Sequence, residues 1–378
     1  MSQKKYDVVV IGLGAVGAAT LFQLSKSNRS ILGIDRFDPP HKMGSSHGET
    51  RITRLAVGES DAYVPMVMRS HEIWREIELL SNSKIFTQCG GILFDSGESP
   101  WSKHGSEGFL SRTVGFAEKY GINHKVFNAK QFHENYPLFQ LGNKGACYFE
   151  PAAGYVRPEQ AILSQLALAE TNGAQILRNS PVSSILKLDN GLIKLNFRGG
   201  EVLTNTVINC SGGWIKDFVS TEERSNFKIC RQVLHWIKID SDSWKDSPVF
   251  MWGMGPDPED FIYGFPSLDG KSIKVATESF ISVDHPDLIN REVSLEEQQI
   301  FWDEKINHRI SGLKPEFLKS EVCFYTVTSD AKFVIKRNSE IPNEWIVSAC
   351  SGHGFKHSAA LGEYLADLVL ERPTRFQL

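Results

Sequence analysis

Gly12-x-Gly14-x-x-Gly17 follows a short apolar run over residues 6–11 and opens a helical stretch reaching about Ser25. No other segment restricts the fold so tightly. The first glycine permits a sharp turn, the second lets backbone approach a pyrophosphate, and the third lets the helix pack close to its strand. Ala15 and Val16 lie in the first turn, where unpaired N–H groups and the positive helix end favour phosphate. Residues 30–35 read as a second strand. Asp35 ends it where a ribose partner is expected, with Arg36 beside it. The unit is βαβ, so a parallel sheet is predicted. Lys4-Lys5 ahead of the apolar run mimic a signal peptide, but the glycines break that run at dinucleotide-binding spacing.

Pro65 stands near the start of an amphipathic helix through Leu80, with Val67, Ile73, Trp74 and Ile77 as its apolar stripe. Residues 85–149 mix short helices and strands. Pro158 opens a helix and Gly173 follows its end. A meander turns at Asp189-Asn190-Gly191 and again at Gly199-Gly200, and residues 206–210 read as a buried strand. Sheet dominates from about 228 to 327, with one helix announced by the capping box of Ser294 and Glu297. A terminal helix over about 357–370 is stopped by Pro373.

The length of 378 residues calls for about two domains. Nucleotide-type segments come first, in the middle and last, so each domain is discontinuous. Residues 1–82, 150–225 and 323–378 form the cofactor-binding domain in this reading, and 83–149 and 226–322 the substrate domain. A formal charge of -4 gives no polyanion signal, which argues against nucleic acid. No stretch is apolar enough to span a bilayer. The cysteines at 89, 147, 210, 230, 323 and 350 form no CxxC pair and are too sparse for a disulfide framework. Reduced thiols, a cytoplasmic setting and no metal site are expected.

Four later motifs are more specific: HGETRITR at 47–54, NCSGGW at 209–214, CFYTVTSD at 323–330 and SGHGFK at 351–356. Together, and in this order, they resemble the monomeric sarcosine oxidase family, which includes N-methyltryptophan oxidase and pipecolate oxidase. The resemblance implies a mixed α/β (α+β) fold. A Rossmann-type FAD-binding domain would carry a second, antiparallel-sheet substrate domain, as in D-amino acid oxidase. It implies FAD joined through its 8α carbon to the sulfur of Cys323, a bond a thiolate can form. By itself a free cysteine is more often a buried structural residue, and the other five keep that reading. Arg51 falls where the family sets an arginine over the flavin ring, in a loop with Ser45, His47 and Thr50. Gly352, His353, Gly354, Phe355 and Lys356 fall under the pyrimidine end, at the start of the last helix. Val182 matches an adenine contact, and Ser211, Gly212 and Trp214 follow the middle strand.

Arg54 and Lys356 match the family's pair of cations on the substrate carboxylate; an arginine fork grips both oxygens and a lysine adds a compact charge. The implied reaction removes a hydride equivalent from the carbon next to nitrogen of a secondary amino acid, N-methyl or cyclic. The imine then hydrolyses, and dioxygen becomes hydrogen peroxide. Lys274 matches the cation that assists oxygen, and Tyr263 and Tyr325 the pocket walls. One departure stands out. Sarcosine oxidases have histidine four residues after the oxygen-activating lysine, and this chain has Glu278. Sarcosine as the preferred substrate is therefore in doubt. Glu278 faces a cationic or hydroxylated part of a larger amino acid, or pairs with a neighbouring cation. Two other readings stay open: a D-amino acid or glycine oxidase, or acceptor-linked dehydrogenase, with noncovalent FAD; and a flavin-binding module without turnover. The joint presence of Arg54, Lys356 and Lys274 weighs against the last. A small-molecule amino acid and O2 are the expected partners, and a monomer the expected state.

Overall fold

The computed structural model describes residues 4–97, 101–103, 107–240, 242–257 and 259–377. Strand β1 (Lys5–Ile11), helix α1 (Ala15–Ser25) and strand β2 (Ile31–Ile34) form the predicted βαβ unit. β1 pairs in parallel with β2 on one side and with Gly200–Asn209 on the other. Where the two pair with one another, over Val8–Ile11 and Ile31–Ile34, neither carries a polar side chain and every residue is buried, as in strands covered on two faces. Gly200–Asn209 is longer than the strand expected over 206–210. Its first half pairs antiparallel with Ile193–Phe197, and its second half in parallel with Glu344–Ser348. One strand thus serves both the meander and the parallel core of an eight-stranded sheet.

The register fixes where ligands can bind. Ile11 lies opposite Ile34 and Asn209, and Asn209 opposite Ile346. The loops that follow these strands therefore leave the sheet at one carboxyl edge, where doubly wound sheets form their ligand crevice. Helix α1 is held from behind by the terminal helix Ser358–Val369 and by Pro158–Thr171, and both of these pack in turn on Tyr63–Ser81, whose Ile73, Trp74 and Ile77 are fully buried. Gly362 makes the helix crossing possible, since a Cβ there would stand 2.5 Å from the Ala19 backbone. Each large side chain in this cluster contributes roughly 1.5–3 kcal/mol of burial.

A nine-stranded sheet forms the other wall. Its axis is the antiparallel pair Lys228–Ile239 and Leu313–Val327, with Ser272–Thr277 on the opposite side of the first strand. Lys274 lies opposite Trp236, Cys323 opposite Gln232 and Tyr325 opposite Cys230. The strand Leu313–Val327 runs unbroken through position 323, so the boundary expected there falls inside a strand. The capping box of Ser294 and Glu297 is formed, at the start of Leu295–Phe301. A three-stranded sheet of Arg51–Thr53, Gly154–Val156 and Phe86–Gln88 joins the two larger sheets. No helix among the described residues is long and apolar enough to cross a membrane.

Candidate active site

One cleft of about 1900 Å³, its open mouth included, runs between the two large sheets. Its lining includes Gly12, Gly14, Ala15, Val16, Asp35, Arg36, Ser45, Arg51, Arg54, Val182, Ser211, Gly212 and Trp214. Tyr263, Glu278, Tyr325 and the run Gly352 to Lys356 complete the predicted residues found there. Gly17, His47, Thr50, Lys274 and Cys323 stand behind that surface.

At one end the glycine turn does what its spacing demands. Gly12 has φ +79°, and a Cβ on it would lie 2.5 Å from the Cys210 carbonyl oxygen. A Cβ on Gly17 would lie 1.8 Å from the Gly12 carbonyl oxygen, which explains why this glycine packs inward. Gly14 caps α1 and brings no side chain of its own, and the first helical N–H, of Ala15, donates to the Ser46 hydroxyl at 3.2 Å. The carboxylate of Asp35 accepts from the backbone N–H of Leu13 at 2.7 Å and of Phe37 at 2.8 Å. It therefore orders the turn as well as facing the cleft. Arg36 and the Trp214 indole are tied to one carboxylate, Asp287, at 2.8 and 2.9 Å.

The loop before Arg51–Thr53 folds back on itself. The Arg51 guanidinium donates to the carbonyls of Thr50 at 2.8 Å and Ser45 at 2.7 Å. Glu159 holds the same loop by accepting from Gly48 and Glu49 N–H. The Lys274 ammonium, 2% exposed, donates to the carbonyls of Gly48 and Thr50 at 2.7 and 2.6 Å. Burial pushes its pKa well down, and Arg51 adds to the shift. Burial raises the Cys323 thiol, while Arg51 and Lys274 pull it back. Cys323 packs with Tyr263, Leu234, Trp236 and Ala276. His47 is buried beside Glu321, Nδ1 to Oε2 3.7 Å, and burial lowers its pKa. Burial raises the phenols of both Tyr263 and Tyr325.

At the other end Arg54 and Lys356 meet on one carboxylate. Lys356 Nζ donates to Glu59 Oε1 at 2.9 Å and to the His353 carbonyl at 3.0 Å. Arg54 Nη2 lies 3.3 Å from Glu59 Oε2, and Nη1 donates to the Ala56 carbonyl. All three side chains are buried. The Lys356 ammonium is pushed down to about 8 by burial, with Glu59 opposing the shift. The loop that carries this arrangement is fixed by Glu150, whose carboxylate accepts from Leu55 N–H at 2.6 Å, Ala56 N–H at 3.1 Å and the Tyr148 hydroxyl at 2.8 Å. His353 stacks on Phe333 at 4.9 Å and is pushed down to about 4, mainly by burial.

Glu278 is paired with a protein cation, Lys103, at 2.6 Å, and it also lines the cleft. Lys103, Glu59 and Glu150 have no counterpart in the predicted set. Lys103 and Glu150 lie in stretches without clear periodicity. Glu59 had a signal: two cations buried side by side need a counter-charge. No group of three or more His, Cys, Asp or Glu able to hold a metal ion occurs among the described residues.

A model of the FAD dependent oxidoreductase family matches residues 7–368. Monomeric sarcosine oxidase of Bacillus sp. (strain NS-129) is 31% identical over 375 residues, covering 99% of this chain and 95% of its own. N-methyl-L-tryptophan oxidase of Yersinia pestis (strain Pestoides F) is 30% identical over 376 residues, covering 98% and 96%. Among solved structures, NikD, an amino acid oxidase of nikkomycin biosynthesis, superposes with a TM-score of 0.83 at 17% identity, over 99% of this chain and 96% of that one. Glycine oxidase of Geobacillus kaustophilus does so at 0.75 and 17%, over 99% and 97%. These two share the fold. With a family match that reaches almost from end to end and relatives aligned over the full length, the chain belongs to the FAD dependent oxidoreductases, in the group that holds monomeric sarcosine oxidase and N-methyl-L-tryptophan oxidase.

Proposed function

We propose that the chain is an FAD-dependent oxidase of secondary α-amino acids, N-methylated or cyclic, with imine and hydrogen peroxide as its first products. One observation carries the reading: Arg54 and Lys356, 302 positions apart by their numbers, converge on a single carboxylate in the cleft. Glu59 offsets one of the two charges, which leaves the pair attractive to a substrate carboxylate. The names of the full-length relatives support the same substrate class.

The residues present fit FAD. The Gly12–Gly17 turn is packed too tightly on its own backbone for a Cβ at Gly12 or Gly17, while a Cβ at Gly14 would meet nothing nearer than the Ser46 hydroxyl at 3.5 Å, so the backbone there is open to the cleft. Gly14, Ala15 and Val16 would take the pyrophosphate, Asp35 the ribose, and Val182 the adenine end. Ser211, Gly212, Trp214 and the run from Gly352 to Phe355 would line the rest, and Cys323 would attach covalently. When bound, FAD supplies the acceptor for the two electrons of the C–H bond next to nitrogen and the reductant for dioxygen. Arg54 and Lys356 orient the carboxylate and so the adjacent carbon. Their charge disfavours a protonated amine, and the neutral amine has the lone pair that assists C–H cleavage. Tyr263 and Tyr325 exclude water from that carbon. Lys274, fixed by two carbonyls, holds positive charge where dioxygen gains its first electron. Positioning and electrostatics, with no strong base, supply most of the rate. In this reading residues 1–82, 150–225 and 323–378 serve mainly FAD, and 83–149 and 226–322 mainly the substrate.

Peroxide release across a panel of amino acids tests the function, and acid precipitation tests the attachment. Peroxide with N-methyl or cyclic amino acids and a yellow pellet that turns colourless in Cys323→Ala are the expected results. Peroxide only with primary amino acids, or no flavin reduction by any of them, refutes the substrate class. A colourless wild-type pellet refutes the covalent bond.

A further inference from the structure

Lys103 and Glu278 line the same cleft as the clamp yet take no part in the chemistry above. Their side chains are only 5% and 4% exposed, and Nζ and Oε2 are 2.6 Å apart. The Lys103 ammonium also stands 3.3 Å from the centre of the Phe261 ring. Phe261, Tyr263, Tyr325 and Met251 make the rest of this wall. Glu278 directly follows the strand Ser272–Thr277 that carries Lys274. Burying an ion pair is costly, and well-packed hydrophobic residues in its place are often neutral or stabilising. A wall meant only for an apolar side chain has no use for one. Selection among ligands is a reason to keep it.

We propose that Lys103 and Glu278 select substrates whose side chain ends in a neutral group that both donates and accepts hydrogen bonds, a carboxamide being the best match. The proposal rests on the reading of the cleft as a secondary amino acid oxidase and names the substrate class within it. An ammonium has three N–H donors and a carboxylate about four acceptor positions, so the pair presents donor and acceptor side by side. A carboxamide answers with its carbonyl and its N–H. A cationic side chain must compete with Lys103 for Glu278, and an anionic one with Glu278 for Lys103. Both place like charges together in a buried site. An apolar side chain avoids that conflict but offers the pair no hydrogen bond, a difference of about 1–3 kcal/mol, or roughly 5- to 150-fold in kcat/KM.

The test uses the holoenzyme and N-methyl amino acids with side chains one and two methylenes long, ending in carboxamide, isopropyl, carboxylate or ammonium. Anaerobic flavin reduction gives the rate ranking. Calorimetric binding of the carba analogues, with CH2 in place of the amine, gives the affinity ranking without turnover. The carboxamide is expected to exceed the isosteric isopropyl compound about tenfold or more in both. Lys103→Met with Glu278→Leu, which keeps the volume, is expected to abolish or reverse that preference. A wild-type preference for isopropyl or for a charged end overturns the proposal, as does a carboxamide preference that survives in the double variant. Where no compound reduces the flavin, the oxidase reading falls. The analogue affinities then decide selectivity alone, carboxamide over isopropyl supporting it and the reverse overturning it.

Discussion

Lys356 gives the account its most quantitative handle. Its ammonium is pushed down to about 8, first by burial and then by Arg54, with Glu59 pulling the other way. The group is charged below that pH and neutral above it. A ligand carboxylate in the clamp then loses one charge-assisted hydrogen bond as pH rises through this value. Such a bond is worth about 1.5–3 kcal/mol, which is roughly 10- to 150-fold in affinity. The ligand must carry no amine, so that only protein groups titrate. Calorimetric titration of the holoenzyme with such a carboxylate between pH 6.5 and 10 is the assay. A flat Kd on the acid side and a rise of that size on the alkaline side are expected. The midpoint lies above 8 where the ligand binds tightly, because it favours the charged lysine. Lys356→Met is expected to bind about as weakly at pH 7 as the wild type does at pH 10, with no inflection. Lys356→Arg keeps a charge throughout and is expected to lose the inflection but retain part of the affinity. Wild-type affinity in the methionine variant at neutral pH, or an inflection that persists in it, refutes the reasoning.

Three further outcomes follow from other parts of the structure. Lys274→Met is expected to slow reoxidation by O2 about 10²–10³-fold while anaerobic reduction stays within about tenfold; stopped-flow measurement of the two half-reactions decides it, and unchanged reoxidation removes the role. Glu150→Ala strands the buried Ala56 N–H and Tyr148 hydroxyl and the half-buried Leu55 N–H. A stability loss of at least about 2 kcal/mol in denaturant titration and weaker carboxylate binding are expected together, and loss of neither contradicts the positioning role. His71 and His235 are neutral when folded, pushed down to about 3 and about 4 by burial. The unfolded chain protonates them near 6.5 and the folded chain does not, so stability falls as pH drops below 6.5, by about 1.4 kcal/mol per unit for each histidine. Denaturant titrations at pH 7 and 5 check this; an unchanged slope in His235→Gln contradicts it.

The elements that were plain in the sequence are those whose pattern is local. The glycine turn, Pro158 at its helix start and the Ser294–Glu297 capping box each follow from backbone geometry within a few residues. Gly200–Asn209 was half visible, since its change of partner midway is a tertiary event. Arg54 and Lys356 were marked by their motifs, but the carboxylate that joins them was not. Glu59 meets Lys356 across 297 positions, and Lys103 meets Glu278 across 175. A charged residue in a loop has no period to betray it. Its meaning comes from the partner that the folded chain supplies.

In the function proposed here, Arg54 and Lys356, from the two ends of the chain, grip a ligand carboxylate beside the flavin. A crystal structure of the holoprotein with an amine-free carboxylate bound tests it most directly. The account predicts Arg54 and Lys356 both within hydrogen-bond distance of the ligand's oxygens and Cys323 joined to FAD. A carboxylate seated elsewhere, with neither Arg54 nor Lys356 in contact with it, contradicts it.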